Sequence, residues 1–414
     1  MLNPFQYRDG VLYCEDVELS RLAAREGTPC YVYSASTILD RFHTYDDALQ
    51  GVPHRVCYAV KANSNLSVLR LLAGAGAGFD IVSGGELHRV LKAGGDPASV
   101  VFSGVGKTRE EIDFALDQGI HGFNCESEAE IALISSLATR LGRTASLSIR
   151  VNPDVDALTH PYISTGLKEN KFGIDISEVE DVYQRASQLP GISLDGVSCH
   201  IGSQLLDAAP ALEAAGKLFA LVQRLRARGI RIREFDLGGG LGVPYVPGEA
   251  RPDVQSFLAR IREMVEGAGL FLLFEPGRSI VAESGALISR VLYRKKNGAR
   301  EFIIIDASMT ELIRPALYEA HHEILPLRQS KFGTVVANVV GPVCESGDFL
   351  AEDREVANLL PGDLIAAMTA GAYGFVMASN YNARPRPSEV LVQGSEWRVV
   401  RQRETLEDLT RGEL

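Results

Sequence analysis

A single tryptophan, six cysteines and no membrane-length apolar run mark this chain of 414 residues, and each scarcity excludes something. The cysteines stand at 14, 30, 57, 125, 199 and 344. No two are spaced as CxxC and none falls in a Cys/His cluster with zinc-ligand spacing, so no metal site is expected. Their wide scatter fits reduced cytosolic thiols better than a disulfide framework. The longest apolar runs are too short to span a bilayer. Positive charge is also short. Against 53 acidic residues stand 42 lysines and arginines, a net charge of −11, which argues against nucleic-acid and anionic-membrane partners. A small zwitterionic substrate drawn in by local arginines remains compatible with that balance. The N-terminal ten residues have no apolar signal-peptide core, and the expected compartment is the cytoplasm.

Glycine, by contrast, is plentiful, with 40 residues and no collagen-like period. That pattern predicts many tight turns at element ends. The hydrophobic and charged fractions, 46% and 23%, are those of an ordinary globular protein, and the length suggests about two to three domains.

From residue 35 to 282 short β-like runs alternate with amphipathic segments. Strands are predicted at 55–61, 79–83, 100–103, 122–124, 146–151, 194–200, 234–237 and 271–275. Helices are predicted at 65–73, 85–93, 109–118, 127–139, 176–188, 212–228 and 254–268. Eight strands over a span near the ~250 residues typical of the fold predict a (β/α)8 barrel. A doubly wound open sheet would not place chemistry at all eight strand ends. Beyond 282 the texture becomes strand-like, at 288–294, 302–306, 331–340, 364–369 and 390–392, with Gly/Pro-rich turns. Residues 1–34 also look β-like. They are expected to join 283–414 in a mostly β second domain built from both chain ends.

Chemistry-bearing residues gather at the predicted strand ends, the active-site face of such a barrel. The apolar run Val56-Cys57-Tyr58-Ala59-Val60 stops on Lys61. Burying an unpaired ammonium is costly, whereas a desolvated lysine has a lowered pKa and can condense with an aldehyde cofactor. Asp80 sits in the second strand and Ser83 ends it. Arg150 lies near the end of the fifth. His200 ends the sixth, followed by Gly202 and Ser203. Gly238-Gly239-Gly240-Leu241-Gly242 follows the seventh, and Glu275-Pro276-Gly277-Arg278 ends the eighth. Singly, each reads as a strand-end polar residue or a turn glycine, but together they point to one site.

The GGGLG run suits a phosphate cradle, because consecutive glycines let backbone amides approach an anion; Ser203 can add a hydroxyl. A carboxylate such as Glu275 facing a heteroaromatic nitrogen keeps it protonated and makes the ring a strong electron sink. His200 can cover a ring face, and Arg150 can hold Glu275 or Asp80 ionised. The run Gly74-Ala75-Gly76-Ala77-Gly78 follows a helix and precedes a strand, the reverse of a dinucleotide fingerprint, and reads as a helix C-terminal turn. The second domain offers Arg314, Tyr318, Tyr373 and the loop Cys344-Glu345-Ser346-Gly347-Asp348. A thiol there can deliver a proton to a carbanion.

These motifs resemble the alanine-racemase-like barrel group of pyridoxal-phosphate enzymes and, within it, the diaminopimelate decarboxylases. The resemblance runs from GTPCYVY at 27–33 through YAVKAN at 58–63, FDIVSGGEL at 79–87, HIGSQ at 200–204, GGGLG at 238–242 and EPGR at 275–278. It continues to GPVCESGD at 341–348 and GAYG at 371–374. It implies pyridoxal 5′-phosphate as cofactor and decarboxylation of meso-2,6-diaminopimelate to L-lysine. Lys61 would bond the cofactor aldehyde, supported by Asp80 and Arg150. His200 would stack on the ring and Glu275 would face its nitrogen. Ser203, Gly238, Gly239, Gly240 and Tyr373 would hold the phosphate. Arg278, Arg314 and Tyr318 would take the distal carboxylate, with Tyr373 also near the substrate, and Glu345 would take the distal ammonium. Cys344 would reprotonate the decarboxylated carbon. It also implies a homodimer with shared sites, Cys344 and Glu345 coming from the partner.

An amino-acid racemase on the same barrel would usually place an arginine at the ring nitrogen, which Glu275 opposes. A decarboxylase of ornithine, arginine or a carboxylated polyamine would leave Arg314 and Tyr318 without a carboxylate to bind. A non-catalytic relative would not need both Lys61 and Cys344. The long polar segment 158–173 is expected to line the substrate approach.

Overall fold

Short apolar runs between turns become the eight strands of a barrel in the computed structural model, which describes residues 3–156, 171–329 and 331–414. They are β1 (His54–Ala59), β2 (Gly78–Ile81), β3 (Val100–Phe102), β4 (Gly122–Cys125), β5 (Ala145–Asn152), β6 (Ile192–Ser198), β7 (Glu234–Asp236) and β8 (Phe271–Phe274). Each pairs in parallel with the next, and β8 returns to β1, so the sheet closes. Parallel neighbours require crossovers. These are the helices α1 (Leu66–Gly74), α2 (Gly84–Ala93), α3 (Arg109–Gln118), α4 (Glu128–Arg140), α5 (Val179–Ala186), α6 (Ala209–Ala227) and α7 (Val254–Val265). Strands covered on both faces have no polar side to alternate with, and β2, β3 and β4 are buried throughout. Most of the predicted approach segment, 158–170, lies outside the described residues.

Strand ends differ from the sequence reading in a consistent way. Ladder pairing stops early. β1 ends at Ala59, and Lys61 sits on a single 3-10 turn, Val60–Ala62. His200 and Glu275 also lie beyond the last paired residue of β6 and β8. Ser83 is not a strand residue; its Oγ accepts the Glu86 amide and caps α2. The Gly74–Gly78 run is the predicted turn, with Gly76 at φ +88° just past α1.

The chain divides into two units, one of residues 41–243 and 250–279 and the other of 1–40, 244–249 and 280–414. The second holds a nine-stranded sheet whose main path runs Phe349–Ala357, Thr334–Val340, Arg300–Ile305, Gly285–Asn297, Cys30–Ser34, Ser388–Gln393 and Glu396–Arg401. The strand Cys30–Ser34, from the N-terminal segment, pairs with Gly285–Asn297 on one side and Ser388–Gln393 on the other. Residues 1–34 are not wholly β-like. Leu19, Leu22 and Ala23, spaced for one helical face, bury that face of the helix Leu19–Glu26. Phe349–Ala357 is a strand the sequence reading missed, because Glu352, Asp353, Arg354 and Glu355 interrupt its apolar pattern.

Candidate active site

Register brings Lys61 to its partner. Ala59 of β1 is paired with Asp80 of β2, so a side chain two residues further on reaches across to the second strand. Lys61 Nζ lies 2.5 Å from Asp80 Oδ2. Asp80 is fully buried, and its Oδ1 has no hydrogen-bond partner among the described residues. The lysine is therefore not the unpaired buried charge that its sequence context suggested.

Glu275 stands in a buried polar cluster. Its Oε1 accepts from Asn124 Nδ2 at 3.0 Å and from Ser103 Oγ at 3.4 Å. The same Asn124 amide donates to Asp236 Oδ2 at 2.9 Å, and Asp236 Oδ1 accepts the Gly238 amide at 2.9 Å. Burial, then the negative charges of Asp236 and Asp80, pushes the Glu275 carboxyl well above the usual range, and burial raises Asp236 too. Adjacent buried carboxylates oppose each other's ionisation.

Arg150 does not pair with Glu275 or Asp80, as the sequence reading had it. Its Nη1 lies 2.7 Å from Glu126 Oε1, and its guanidinium stacks 4.8 Å from the Phe172 ring centre. The other Glu126 oxygen accepts the Gly173 amide at 2.7 Å. Arg150 thus ties β5 to the residue after β4, where Glu126 is the nearer carboxylate. Its Nη2 donates to the His200 carbonyl at 3.3 Å. The His200 ring accepts the Gly239 amide on Nδ1 at 3.2 Å. Burial, then the charges of Arg150 and Lys61, holds this imidazole well below its ordinary pKa. It is a neutral, flat group.

The glycine run is a packing requirement. A Cβ on Gly238 would stand 2.6 Å from the Cys199 carbonyl, one on Gly239 would stand 2.3 Å from the Glu275 carbonyl, and one on Gly240 would stand 2.6 Å from the Gly202 carbonyl. The segments after β6, β7 and β8 therefore touch backbone to backbone. Gly239→Ala is expected to destabilise the protein by about 1–3 kcal/mol, the usual cost of overpacking, read as a lower denaturant midpoint. Beside this run Arg278 donates to Ser203 Oγ from Nη2 at 2.9 Å and from Nε at 3.3 Å. A cavity of about 190 Å³ opens here, lined by Lys61, Asn124, Arg150, Ser198, His200 and Glu275 among others. A larger, open depression of about 680 Å³ lies elsewhere on the barrel, against Pro53, Arg226, Ile230 and Phe271, and holds none of the residues nominated from sequence.

In the second unit Arg314 and Tyr318 bound the short helix Arg314–Tyr318, with Arg314 buried. Cys344 and Glu345 are exposed on a loop fixed by Asp348, whose carboxylate accepts the Met309 and Val343 amides at 2.7 Å each. All six thiols are free, and Cys344 alone is exposed. Tyr373 holds φ +55°, a conformation costing a non-glycine residue about 1–3 kcal/mol and common at functional sites.

Sequence reasoning missed Asn124, Glu126 and Asp236. Asp236 was within reach, standing two residues before Gly238 in a strand already assigned to the site face.

Residues 35–282 match the pyridoxal-binding domain of pyridoxal-dependent decarboxylases. The diaminopimelate decarboxylase of Pseudomonas aeruginosa is 56% identical over 412 residues, covering 100% of this chain and 99% of that protein. This chain belongs to the diaminopimelate decarboxylase family. Solved diaminopimelate decarboxylases share its fold. That of Helicobacter pylori, complexed with L-lysine, has a TM-score of 0.92 at 46% identity, covering 95% of this chain and 98% of its own. That of M. jannaschii, also complexed with L-lysine, has a TM-score of 0.95 at 38% identity, covering 100% and 99%. The family's cofactor suits the residues present here. Ser198 lines the cavity, and its Oγ is buried without a hydrogen-bond partner among the described residues; Asp80 Oδ1, on the carboxylate that meets Lys61, likewise has none. The side-chain-free surface at Gly238–Gly240 leaves backbone for an anion to approach.

Proposed function

We propose that this protein decarboxylates meso-2,6-diaminopimelate to L-lysine and carbon dioxide with pyridoxal 5′-phosphate, the last step of lysine biosynthesis. The observation that carries the reading is the full-length likeness, which takes in the second unit with Arg314, Cys344 and Glu345 as well as the barrel.

When bound, the cofactor supplies an aldehyde for amines and a ring that takes up the electron pair left by carbon dioxide. Lys61 provides the amine that retains it, with Asp80 beside that amine as counter-charge. Glu275, backed by Asp236, keeps a proton at the ring nitrogen. His200, a flat ring, would cover a face of the cofactor ring and shield it from water. Ser203, the Gly238–Gly240 backbone and Tyr373 hold the phosphate, and Arg150 braces the wall through Glu126 and His200. Arg278, Arg314 and Tyr318 take the distal carboxylate of the substrate, and Glu345 its distal ammonium. Cys344 then protonates the carbon that lost carbon dioxide. A site built around both distal groups rejects substrates lacking either, because its polar side chains would be left unpaired.

We take 35–282 as the cofactor-binding domain and 1–34 with 283–414 as the β domain. We also propose a cytoplasmic homodimer in which each site is completed by Cys344 and Glu345 of the partner subunit. No described helix is long and apolar enough to cross a membrane.

Carbon dioxide release from meso-diaminopimelate, measured beside ornithine, arginine and lysine, tests the activity; turnover of ornithine or arginine in preference would sink it. Glu345→Ala is expected to raise KM for diaminopimelate by about 10–100-fold, the cost of a lost charge-assisted contact. Equal losses on a substrate analogue without the distal ammonium would remove Glu345 from that role.

A further inference from the structure

Arg314 is held by a histidine that the reaction itself does not use. Arg314 Nη1 donates to His322 Nε2 at 2.9 Å. His322 is fully buried, and its Nδ1 lies 2.8 Å from the Met368 carbonyl. A carbonyl only accepts, so Nδ1 carries the proton and Nε2 offers its lone pair to the guanidinium. Tyr245 packs edge-on against the imidazole, with ring centres 5.4 Å apart, and presents its own ring 4.5 Å from the Arg314 guanidinium carbon. Arg354 donates to the His322 carbonyl and fixes the backbone behind it. A guanidinium bonded to a buried imidazole and stacked on a second ring keeps a single plane and direction, set before any substrate arrives.

We propose that His322 is a positioning residue for substrate selection, orienting the Arg314 fork to receive the distal carboxylate of the amino-acid substrate. The proposal rests on the reading of Arg314 as that carboxylate's contact. Burial, then the charge of Arg314, holds His322 well below the ordinary imidazole pKa. The ring therefore stays neutral and does not turn a second positive charge on the arginine.

The test uses the cofactor-loaded enzyme and two competitive inhibitors, L-lysine and 1,5-diaminopentane. Lysine retains the distal carboxylate, and the diamine lacks it. His322→Phe keeps a flat ring and removes both nitrogens. It should raise KM for diaminopimelate and the inhibition constant of lysine together, by about 10–100-fold. It should leave kcat and inhibition by 1,5-diaminopentane nearly unchanged. His322→Gln, with an acceptor and a donor on one side chain, should recover most of the loss. In an Arg314→Leu background His322→Phe should add nothing, because the two act as one unit. His322→Leu carries the same comparison if the phenylalanine protein does not fold. The proposal is overturned by an unchanged KM in these variants, by equal weakening of both inhibitors, or by effects additive with Arg314→Leu. If Arg314→Leu alone leaves KM and lysine inhibition unaltered, the reading of Arg314 fails, and His322 with it.

Discussion

Lys61→Ala should abolish carbon dioxide release from meso-diaminopimelate, lowering turnover by more than about 10³-fold, within the range of a positioned catalytic group. The substitution removes the amine proposed to retain the cofactor, so the purified protein should also lose the yellow colour expected of the wild type. A second effect follows from the ion pair. Asp80 is fully buried and meets Lys61 at 2.5 Å; with the ammonium gone, its carboxylate is stranded. Removing one partner of a buried ion pair is costly unless the survivor takes up a proton; the Lys61 side chain is 36% exposed, so solvent reduces that cost here. Lys61→Ala should therefore unfold at lower denaturant as well. Lys61→Arg separates the two effects. It restores a cation beside Asp80, and with it most of the stability, but offers no nucleophilic amine. A Lys61→Ala protein that released carbon dioxide at the wild-type rate would end the proposed mechanism. An arginine variant as unstable as the alanine one would show that the Asp80 contact does not matter to the fold.

Cys344→Ala should lower kcat by about 10²–10³-fold, a general acid's usual contribution, with little change in KM. The exposure pattern supports the assignment. The other five cysteines are buried, and burial pushes Cys30 and Cys199 up to about 12 and the rest upward as well. Those thiols keep their protons. Cys344 stands on an exposed loop whose base is fixed by Asp348, with its own amide donating to Asn382 Oδ1 at 2.9 Å. The loop is therefore shaped, while its thiol stays accessible. Cys344→Ser, a poorer acid of similar size, should fall between alanine and wild type. A rise confined to KM in the alanine variant would mean that the thiol binds substrate and does not protonate product.

The barrel was readable because parallel strands covered on both faces must be apolar throughout, and helices must fill the crossovers. Lys61, His200 and Glu275 announced themselves by ending such runs. Their partners were hidden for a geometric reason. Asn124, in β4, meets Asp236 across 112 positions of sequence and Glu275 across 151. Only closure of the barrel brings those strand ends together. Arg150 illustrates the same limit. Its charge suggested a carboxylate partner, but which of several depended on the turn after β4, where Glu126 happens to face it. In the second unit the strand Phe349–Ala357 escaped detection because its charged middle outweighs its apolar ends, and there backbone pairing with Thr334–Val340 decides the structure.

Because Gly238, Gly239 and Gly240 each press on a carbonyl of a neighbouring segment, this end of the barrel has little freedom to diverge. A larger residue at any of the three would have to be answered by a backbone shift in the segment it meets, so single-step replacements there are closed. Descendants of such a chain are expected to keep this end of the barrel and to acquire new substrates through exposed positions such as Glu345, whose side chain makes one long contact, from the Gly347 amide within its own loop.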